Sequence, residues 1–313
     1  MKLEKWDCKM KMSQISKVFS RTWKNPRYLW YFLRNVNFLR DHFPKVYQRF
    51  MMRKNLDLGK AQDLRKLHVI LRTTDFVMNI NASRQLETFG IKLRKDVIKV
   101  GGCSLFGAAK KFVQEFGEEN IRITLVVDRL SEAGMVLYKD AAQSVGLKFD
   151  VLEANGHGNG PTFQTQIDVA LRDSDDTLVL ILEDDYKLDE LAFVTCFEVM
   201  RANSNVAGMN PHFHPDRVRF QDVKGYAVIG KKLYGRVSST CCTFFMTAVK
   251  IRQYEKCLRL YDGWEKGSVG CAWEKEICLA PFGWTLAEHL HLSDLSPVGD
   301  LSKSIDGSLI RII

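Results

Sequence analysis

Short apolar runs alternate with stretches of helical periodicity from Leu67 to about residue 205. Apolar runs bounded by polar residues are typical of buried strands, whereas apolar positions three and four residues apart indicate amphipathic helices. We predict strands at 67–71, 121–127, 149–152 and 177–182. We predict helices at 103–116, 132–145, 162–172 and 188–201. This alternation predicts an α/β fold with a mostly parallel sheet and helices on both faces.

The pattern is looser in the rest of the chain. Here we predict strands at 206–210, 240–247 and 283–287, a β-hairpin at 225–235 and a helix at 248–260. These elements follow the α/β part without repeating it, and no internal repeat is visible. The second half of the chain is therefore not a copy of the first half.

Polar residues follow the predicted strands of the first half. In parallel α/β sheets, ligands bind outside the carboxyl ends of the strands. This rule collects at one edge Thr73, Thr74, Asp75, Asp128, the glycine-rich loop 155–160 and the acidic run 183–185. We expect a ligand site at this edge.

The acidic run Glu183-Asp184-Asp185 directly follows a near-continuous apolar strand. Three carboxylates crowded at a poorly solvated strand end are costly, and a divalent cation such as Mn²⁺ or Mg²⁺ would relieve that cost. Because side chains alternate along a strand, we expect only one or two direct ligands. Asp185 is the first choice, and Asp184 lies near the metal or a ribose. The alternative is an acidic turn before the next helix.

Two further features predict contacts with a nucleotide. Asp128 ends a buried strand, where its carboxylate can accept hydrogen bonds from a base or a ribose; the alternative is a helix N-cap. The loop 155–160 contains Gly156, Gly158 and Gly160, whose backbone N–H groups can bind phosphates.

These motifs together resemble family 2 and related glycosyltransferases with the GT-A fold. The segment 126–134 (VVDRLSEAG) is similar to the second-strand motif of that family, and LILEDD at 180–185 is similar to its DxD motif. The resemblance covers about residues 67–210. It implies a nucleotide-diphosphate sugar donor, with a UDP-sugar favoured, and a metal bound by Glu183 and Asp185. Thr73 and Asp75 would lie beside the donor.

The resemblance also implies residues on the acceptor side. Inverting relatives use a catalytic carboxylate in a Glu-Asp pair; this chain has Trp273-Glu274-Lys275-Glu276 instead. We expect inversion, with Glu274 as general base and Glu276 as the alternative. Relatives can carry a late metal-binding His, for which His291 is preferred over His289. We also consider His212 and His214 for the acceptor, and Trp264 and Trp273 for stacking on a sugar.

Positive charge is concentrated at the start of the chain. Residues 1–66 contain 17 Lys and Arg against 5 Asp and Glu, whereas the remaining residues contain 29 against 32. This basic, aromatic-rich helical segment either contacts acidic lipids or nucleic acid, or packs on the core. We therefore divide the chain into this segment (1–66), a GT-A-like catalytic domain (67–292) and a tail (293–313). The donor and acceptor halves of that domain are 67–210 and 211–292.

The remaining composition narrows the function classes. There is no CxxC pair, signal peptide or apolar run of about 20 residues, so we expect free thiols, a cytoplasmic location and at most peripheral membrane contact. A dinucleotide-binding enzyme is disfavoured, because no glycine follows the first strand before Gly90. The acceptor is a glycan, a glycolipid or modified DNA. The alternative function is a non-enzymatic nucleic-acid-binding protein that uses the basic segment.

Overall fold

The computed structural model describes residues 56–74, 94–213, 223–240, 242–261, 267–282 and 284–290. Several predictions fall on residues outside these ranges. They concern residues 1–55 of the basic segment, Asp75, His214, Trp264, His291 and the tail 293–313.

The main sheet has nine strands in the order β3-β2-β1-β4-β9-β6-β10-β8-β7. Their bounds are β1 Lys66–Thr73, β2 Ile121–Val127, β3 Asp150–Glu153, β4 Thr177–Glu183, β6 Val206–Met209, β7 Val223–Ile229, β8 Lys232–Val237, β9 Phe244–Thr247 and β10 Ile277–Pro281. β3, β2, β1 and β4 are parallel, and only β9 and β8 run against the common direction. The predicted α/β class with a mostly parallel sheet is confirmed.

Helices cover both faces of this sheet. Their bounds are α1 Arg94–Phe116, α2 Glu132–Val145, α3 Asn159–Ala170, α4 Ala192–Ala202, α5 Ala248–Gln253, α6 Glu255–Leu258 and α7 Val269–Lys275. Alternate residues of β4 belong to two separate apolar clusters. Leu180 packs in the cluster that contains residues of α1, α2 and α4, whereas Ile181 packs in the cluster that contains residues of α3, α5, α6 and α7. The continuous apolar run in β4 therefore reflects burial on both faces.

The second half follows the predicted pattern with shifts at the ends of its elements. β7 and β8 form the expected hairpin, which turns at Gly230 with a φ of 62°. The predicted helix 248–260 is two short helices, α5 and α6, that meet at Tyr254. A separate antiparallel ribbon joins β5 (Tyr186–Leu188) to β11 (Ala287–His289), and the sequence pattern did not predict β5. This ribbon brings the chain after β10 back to the acidic run.

One prediction about the cysteines is wrong. Cys257 of α6 and Cys271 of α7 form a disulfide, with 6.2 Å between their Cα atoms. The two residues are 14 positions apart in sequence, and chain folding after α6 brings them together, so no spacing motif indicated the pair. Within the described residues, Cys103 and Cys196 have free thiols, and no helix is long and apolar enough to cross a membrane.

Candidate functional site

The carboxyl ends of the parallel strands β1, β2, β3 and β4 lie side by side and form one edge of the sheet, at the ends of the strands. The register pairs Thr73 with Val127 and Arg72 with Glu183, so the residues that follow these strands meet there. Asp128 continues from β2 and donates its N–H to the carbonyl of Thr73 over 3.0 Å. The structure thus brings together Asp128, the glycine-rich loop and the acidic run, as the strand-end rule predicts.

The three carboxylates of the acidic run have three different partners. Glu183 pairs with Arg72, Asp184 pairs with Arg94, and Asp185 contacts His289. The separation follows from alternation along the chain, which turns Glu183 towards α3 and Asp184 towards α1. The sequence predicted a metal because three adjacent carboxylates repel one another. In the structure, arginines neutralise two of these three carboxylates.

The Arg72–Glu183 pair is largely buried. The Arg72 guanidinium lies 6.0 Å from the ring centre of Phe163 and 5.8 Å from that of Tyr261, and it donates to the Asn159 carbonyl over 2.8 Å. Although burial opposes its charge, Glu183 raises the pKa of Arg72 above its ordinary value. Burial, together with the nearby Asp185, raises the pKa of Glu183 against the opposing effect of Arg72.

Arg94 and Asp184 connect three elements. Nε and Nη2 of Arg94 donate to the Thr74 carbonyl over 2.9 and 2.7 Å, and Nη2 also donates to Oδ2 of Asp184. The Thr74 N–H donates to the same Asp184 oxygen over 3.1 Å. The start of α1, the end of β1 and the end of β4 are thus joined by one ion pair and its backbone contacts.

Asp185 is the carboxylate that faces a histidine. Nε2 of His289 lies 2.9 Å from Oδ2 of Asp185, and the Leu290 N–H donates to the Asp185 carbonyl over 2.7 Å. The His289 ring stacks on Tyr186 with 4.7 Å between ring centres, which fixes its plane. Nδ1 of His212 lies 2.9 Å from the Ala287 carbonyl, so His212 supports the strand that carries His289.

The donor set at Asp185 fits a divalent ion that is shared with a substrate. Among the described residues no group of three His, Cys, Asp or Glu side chains forms a complete metal site. A carboxylate and an imidazole are nevertheless adjacent here, and ions such as Mn²⁺ and Mg²⁺ are commonly held by few protein ligands plus phosphate oxygens. The Asp185–His289 pair is therefore suited to a metal that a diphosphate helps to bind.

Asp128 holds the glycine-rich loop. Its Oδ1 lies 2.7 Å from Nδ1 of His157, and its Oδ2 accepts from the Gly158 N–H over 2.8 Å; Arg129 donates to both oxygens. Although burial opposes ionisation, the hydrogen bonds from Arg129, Gly158 and His157 hold the pKa of Asp128 below its ordinary value. The alternative N-cap role is wrong, because Ser131 caps α2.

The glycine-rich loop leads into α3 beside an open cavity of about 750 Å³. Gly156 and Gly158 have φ values of 112° and 88°, a region that other residues rarely adopt, and Gly158 is the N-cap of α3. The cavity is lined by Asn155, His157, Asn159, Gly160, Pro161, Gln164 and Tyr261. Because the start of a helix attracts anions, this end of α3 is suited to a phosphate.

Comparison with known proteins adds only weak likenesses. No protein-family model and no curated protein matches the chain. The mannosyltransferase PcManGT from Pyrobaculum calidifontis, in complex with GDP-Man and Mn²⁺, matches with 10% identity and a TM-score of 0.46, over 85% of this chain and 64% of that one. A TarS fragment from S. aureus in complex with UDP-GlcNAc matches with 12% identity and a TM-score of 0.43, over 74% and 62%. LgtC, as an active-site mutant, matches with 11% identity and a TM-score of 0.36, over 67% and 71%.

The chain thus spans less than two thirds of PcManGT and of the TarS fragment. All three TM-scores are below 0.5.

The two predicted general bases lie far from this edge. β10 points in the same direction as β4, because both are related through β6 and β9, so residues before β10 lie at the opposite edge of the sheet. Glu276 there binds Nζ of Lys250 over 2.6 Å and the Tyr254 hydroxyl over 2.8 Å, while Glu274 is exposed to solvent. This position and these contacts do not favour either residue as the general base, so the two assignments and the expected inversion stay predictions.

Two further residues of the predicted site are buried. Trp273 is fully buried, packs on Phe244 and donates its indole N–H to Thr240 over 3.0 Å, so it cannot stack on a sugar. Thr73 is also buried, and its hydroxyl accepts from the hydroxyl of Tyr138 over 2.9 Å. Both side chains are therefore engaged within the protein, and the assignment of Thr73 to the donor site stays a prediction.

The sequence reasoning missed Arg72 and Arg94 and preferred His291 to His289. A signal for Arg72 existed, since an arginine at the end of an apolar strand requires a buried partner. His289 and His291 are two residues apart, so alternation along a strand places both on the same face and does not decide between them. No local signal indicated Arg94, because its partners precede it by about 20 residues or follow it by 90.

Proposed function

We propose that the chain is a glycosyltransferase that transfers a sugar from a nucleotide-diphosphate donor, most simply a UDP-sugar, to a hydroxyl group. The observation that carries the proposal is the contact between Asp185 and His289 at the end of β4. This pair lies at the same edge as Asp128 and the start of α3. The arrangement offers separate groups for a metal, a diphosphate and a nucleoside.

Asp185 and His289 are the groups that would hold Mn²⁺ or Mg²⁺. When bound, the ion neutralises the diphosphate that leaves during transfer. Glu183 was predicted as a second ligand, but its pairing with Arg72 favours Asp185 as the main carboxylate of the site. Arg72 and Arg94 lower the negative charge at the strand ends, which would otherwise repel a diphosphate.

The start of α3 and its preceding loop would bind the rest of the nucleotide. Gly158 and Gly160 belong to this region, and the bond from Asp128 to the Gly158 N–H orders the loop before a ligand arrives. His157 is largely exposed beside Asp128 and can contact the nucleoside. Ordering in advance lowers the entropy cost of binding.

The acceptor is proposed to be a hydroxyl of a glycan, a glycolipid or modified DNA. Contact with a membrane or with DNA would use the basic residues 1–66, most of which lie outside the described residues. No contact among the described residues favours a purely nucleic-acid-binding function. The cytoplasmic location remains a proposal.

Isothermal titration of UDP into the protein, with and without Mn²⁺, tests this function. We expect binding that requires Mn²⁺ and that Asp185→Ala weakens at least about tenfold, since a direct ligand is lost. Asp175→Ala, which removes an exposed carboxylate paired with Arg252, is the matched control and should leave binding unchanged. Failure to bind UDP, GDP or any other nucleoside diphosphate would contradict the proposal and favour the nucleic-acid-binding alternative.

A further inference from the structure

One face of α1 contacts the acidic run and the strand that follows it. Arg94, Gly101 and Ser104 are spaced by seven and three residues, so they share a face of the helix. Arg94 contacts the side chain of Asp184, Gly101 lies against its backbone, and Ser104 bonds to Leu188. Asp185 lies within the segment that these residues contact.

The backbone approach at Gly101 is very close. A Cβ atom at this position would lie 2.6 Å from the carbonyl oxygen of Asp184 and 3.4 Å from that of Tyr186. Only glycine permits the helix to approach the turn this closely. The Leu188 N–H donates to the Ser104 hydroxyl over 3.0 Å, which fixes the far end of β5.

Arg94 fixes the other end of the same segment. Its guanidinium is 14% exposed and holds the Asp184 carboxylate and the Thr74 carbonyl together. With Asp184 held by Arg94 and by the Thr74 N–H, the turn from Asp184 to Leu188 is anchored at both ends. Asp185 is the next residue after that anchor, and its direction towards His289 depends on it.

We propose that Arg94 is a positioning residue for the metal pair, acting through Asp184 so that Asp185 faces His289. The inference rests on the proposed function and deepens it, because it assigns Asp184 to the support of the site and not to the metal. Gly101 takes part in the same way, by allowing the turn to lie against α1.

The direction of the change in Mn²⁺ affinity distinguishes a positioning role of Arg94 from a purely electrostatic one. Arg94 is a cation close to a proposed cation site, so removal of its charge alone should strengthen Mn²⁺ binding. Loss of positioning should instead weaken it. Gly101→Ala changes no charge, and the added methyl group must push the Asp184 backbone away.

The experiment is a titration of Mn²⁺ in the presence of UDP, followed by the electron paramagnetic resonance signal of free and bound Mn²⁺. We expect Arg94→Met and Gly101→Ala each to weaken Mn²⁺ binding by about 10- to 100-fold, the range found when groups that orient metal ligands are removed. Arg94→Lys should restore part of the affinity, since an ammonium group can still pair with Asp184.

Two matched controls accompany these variants. Arg252→Met removes an arginine that pairs with Asp175 and the Asp173 carbonyl at the opposite edge. Gly107→Ala adds a methyl group on α1 where no atom lies within 4 Å. Both controls should bind Mn²⁺ as the wild type does, with thermal melting used to confirm that every variant is folded.

The outcomes are distinguishable. Wild-type protein that binds no Mn²⁺ with UDP would contradict the proposed function itself. Wild-type binding together with equal or tighter binding by folded Arg94→Met or Gly101→Ala would overturn the positioning role alone. If Arg94→Met does not fold, Arg94→Lys and Gly101→Ala decide the question, and unchanged affinity in both would overturn it.

Discussion

Arg72 and Glu183 are register partners on β1 and β4, and their buried ion pair lies close to the ring of Tyr261. Removal of one partner leaves the other charge buried without compensation, which typically costs about 3–5 kcal/mol. We expect Arg72→Met to lower the free energy of unfolding by about that amount and to raise the pKa of Glu183 further. Urea unfolding measures the loss, and the double variant Arg72→Met/Glu183→Gln should recover much of it. A double variant no more stable than the single one would contradict this account.

Glu274 and Glu276, the two predicted general bases, should respond differently to substitution. Lys250, Tyr254 and Arg236 lower the pKa of Glu276 although burial opposes ionisation. A carboxylate whose pKa is depressed in the folded state stabilises the protein above its unfolded pKa of about 4.3, and this contribution disappears as the pH falls through the folded pKa. The stability difference between wild type and Glu276→Gln should therefore be full at pH 7 and vanish once the pH has fallen below the lowered folded pKa of Glu276.

Glu274→Gln provides the control for that experiment, because Glu274 is exposed in the last turn of α7, two residues before Glu276. It should change neither stability nor nucleotide binding, whereas Glu276→Gln should change stability only. Loss of UDP binding in either variant, measured on folded protein, would restore a role for this region in the site.

Trp273 should behave as a core residue. Trp273→Phe removes the indole N–H that bonds to the buried Thr240 hydroxyl and leaves unfilled space beside Phe244. We expect the free energy of unfolding to fall by about 1–3 kcal/mol and the affinity for UDP to stay unchanged. Denaturation and UDP titration of the same samples measure the two quantities. A large loss of affinity without loss of stability is the opposite pattern and would return Trp273 to the binding surface.

The disulfide between Cys257 and Cys271 should contribute to stability. Closing a loop of this length stabilises proteins by about 3 kcal/mol, mainly by restricting the unfolded chain. A reductant should therefore lower the melting temperature of the wild type. Cys257→Ser should melt at the lower temperature with or without reductant, and Cys103→Ser should match the wild type in both conditions. Identical melting of wild type and Cys257→Ser without reductant would contradict the pairing.

Local pattern predicted the strands and helices around the site because each was specified by its own apolar positions. It also predicted that the acidic run could not face one way, as the opposite directions of Glu183 and Asp184 confirm. The position of Glu276 relative to the site could not be predicted from the local sequence pattern. It depends on β10 pairing with β6, whose residues lie about 70 positions earlier, and that pairing sets which edge of the sheet the preceding helix occupies.

The partners of the acidic run likewise depend on distant parts of the chain. Three adjacent carboxylates indicate a need for positive charge, but the sequence does not specify its source. Arg94 meets part of that need from the start of a helix, and the connection between β1 and α1 gives no pattern that would place it beside Asp184. Pairing across distant elements decides which carboxylates remain for a metal.

The central claim is that Asp185 and His289 hold the metal of a nucleotide-sugar site. The most direct test is an anomalous difference map from crystals grown with Mn²⁺ and UDP. The account predicts a Mn²⁺ peak bound by Asp185 and His289, with the nucleotide extending towards Asp128 and the start of α3. A Mn²⁺ peak bound by neither residue, or UDP bound away from this edge of the sheet, would contradict it.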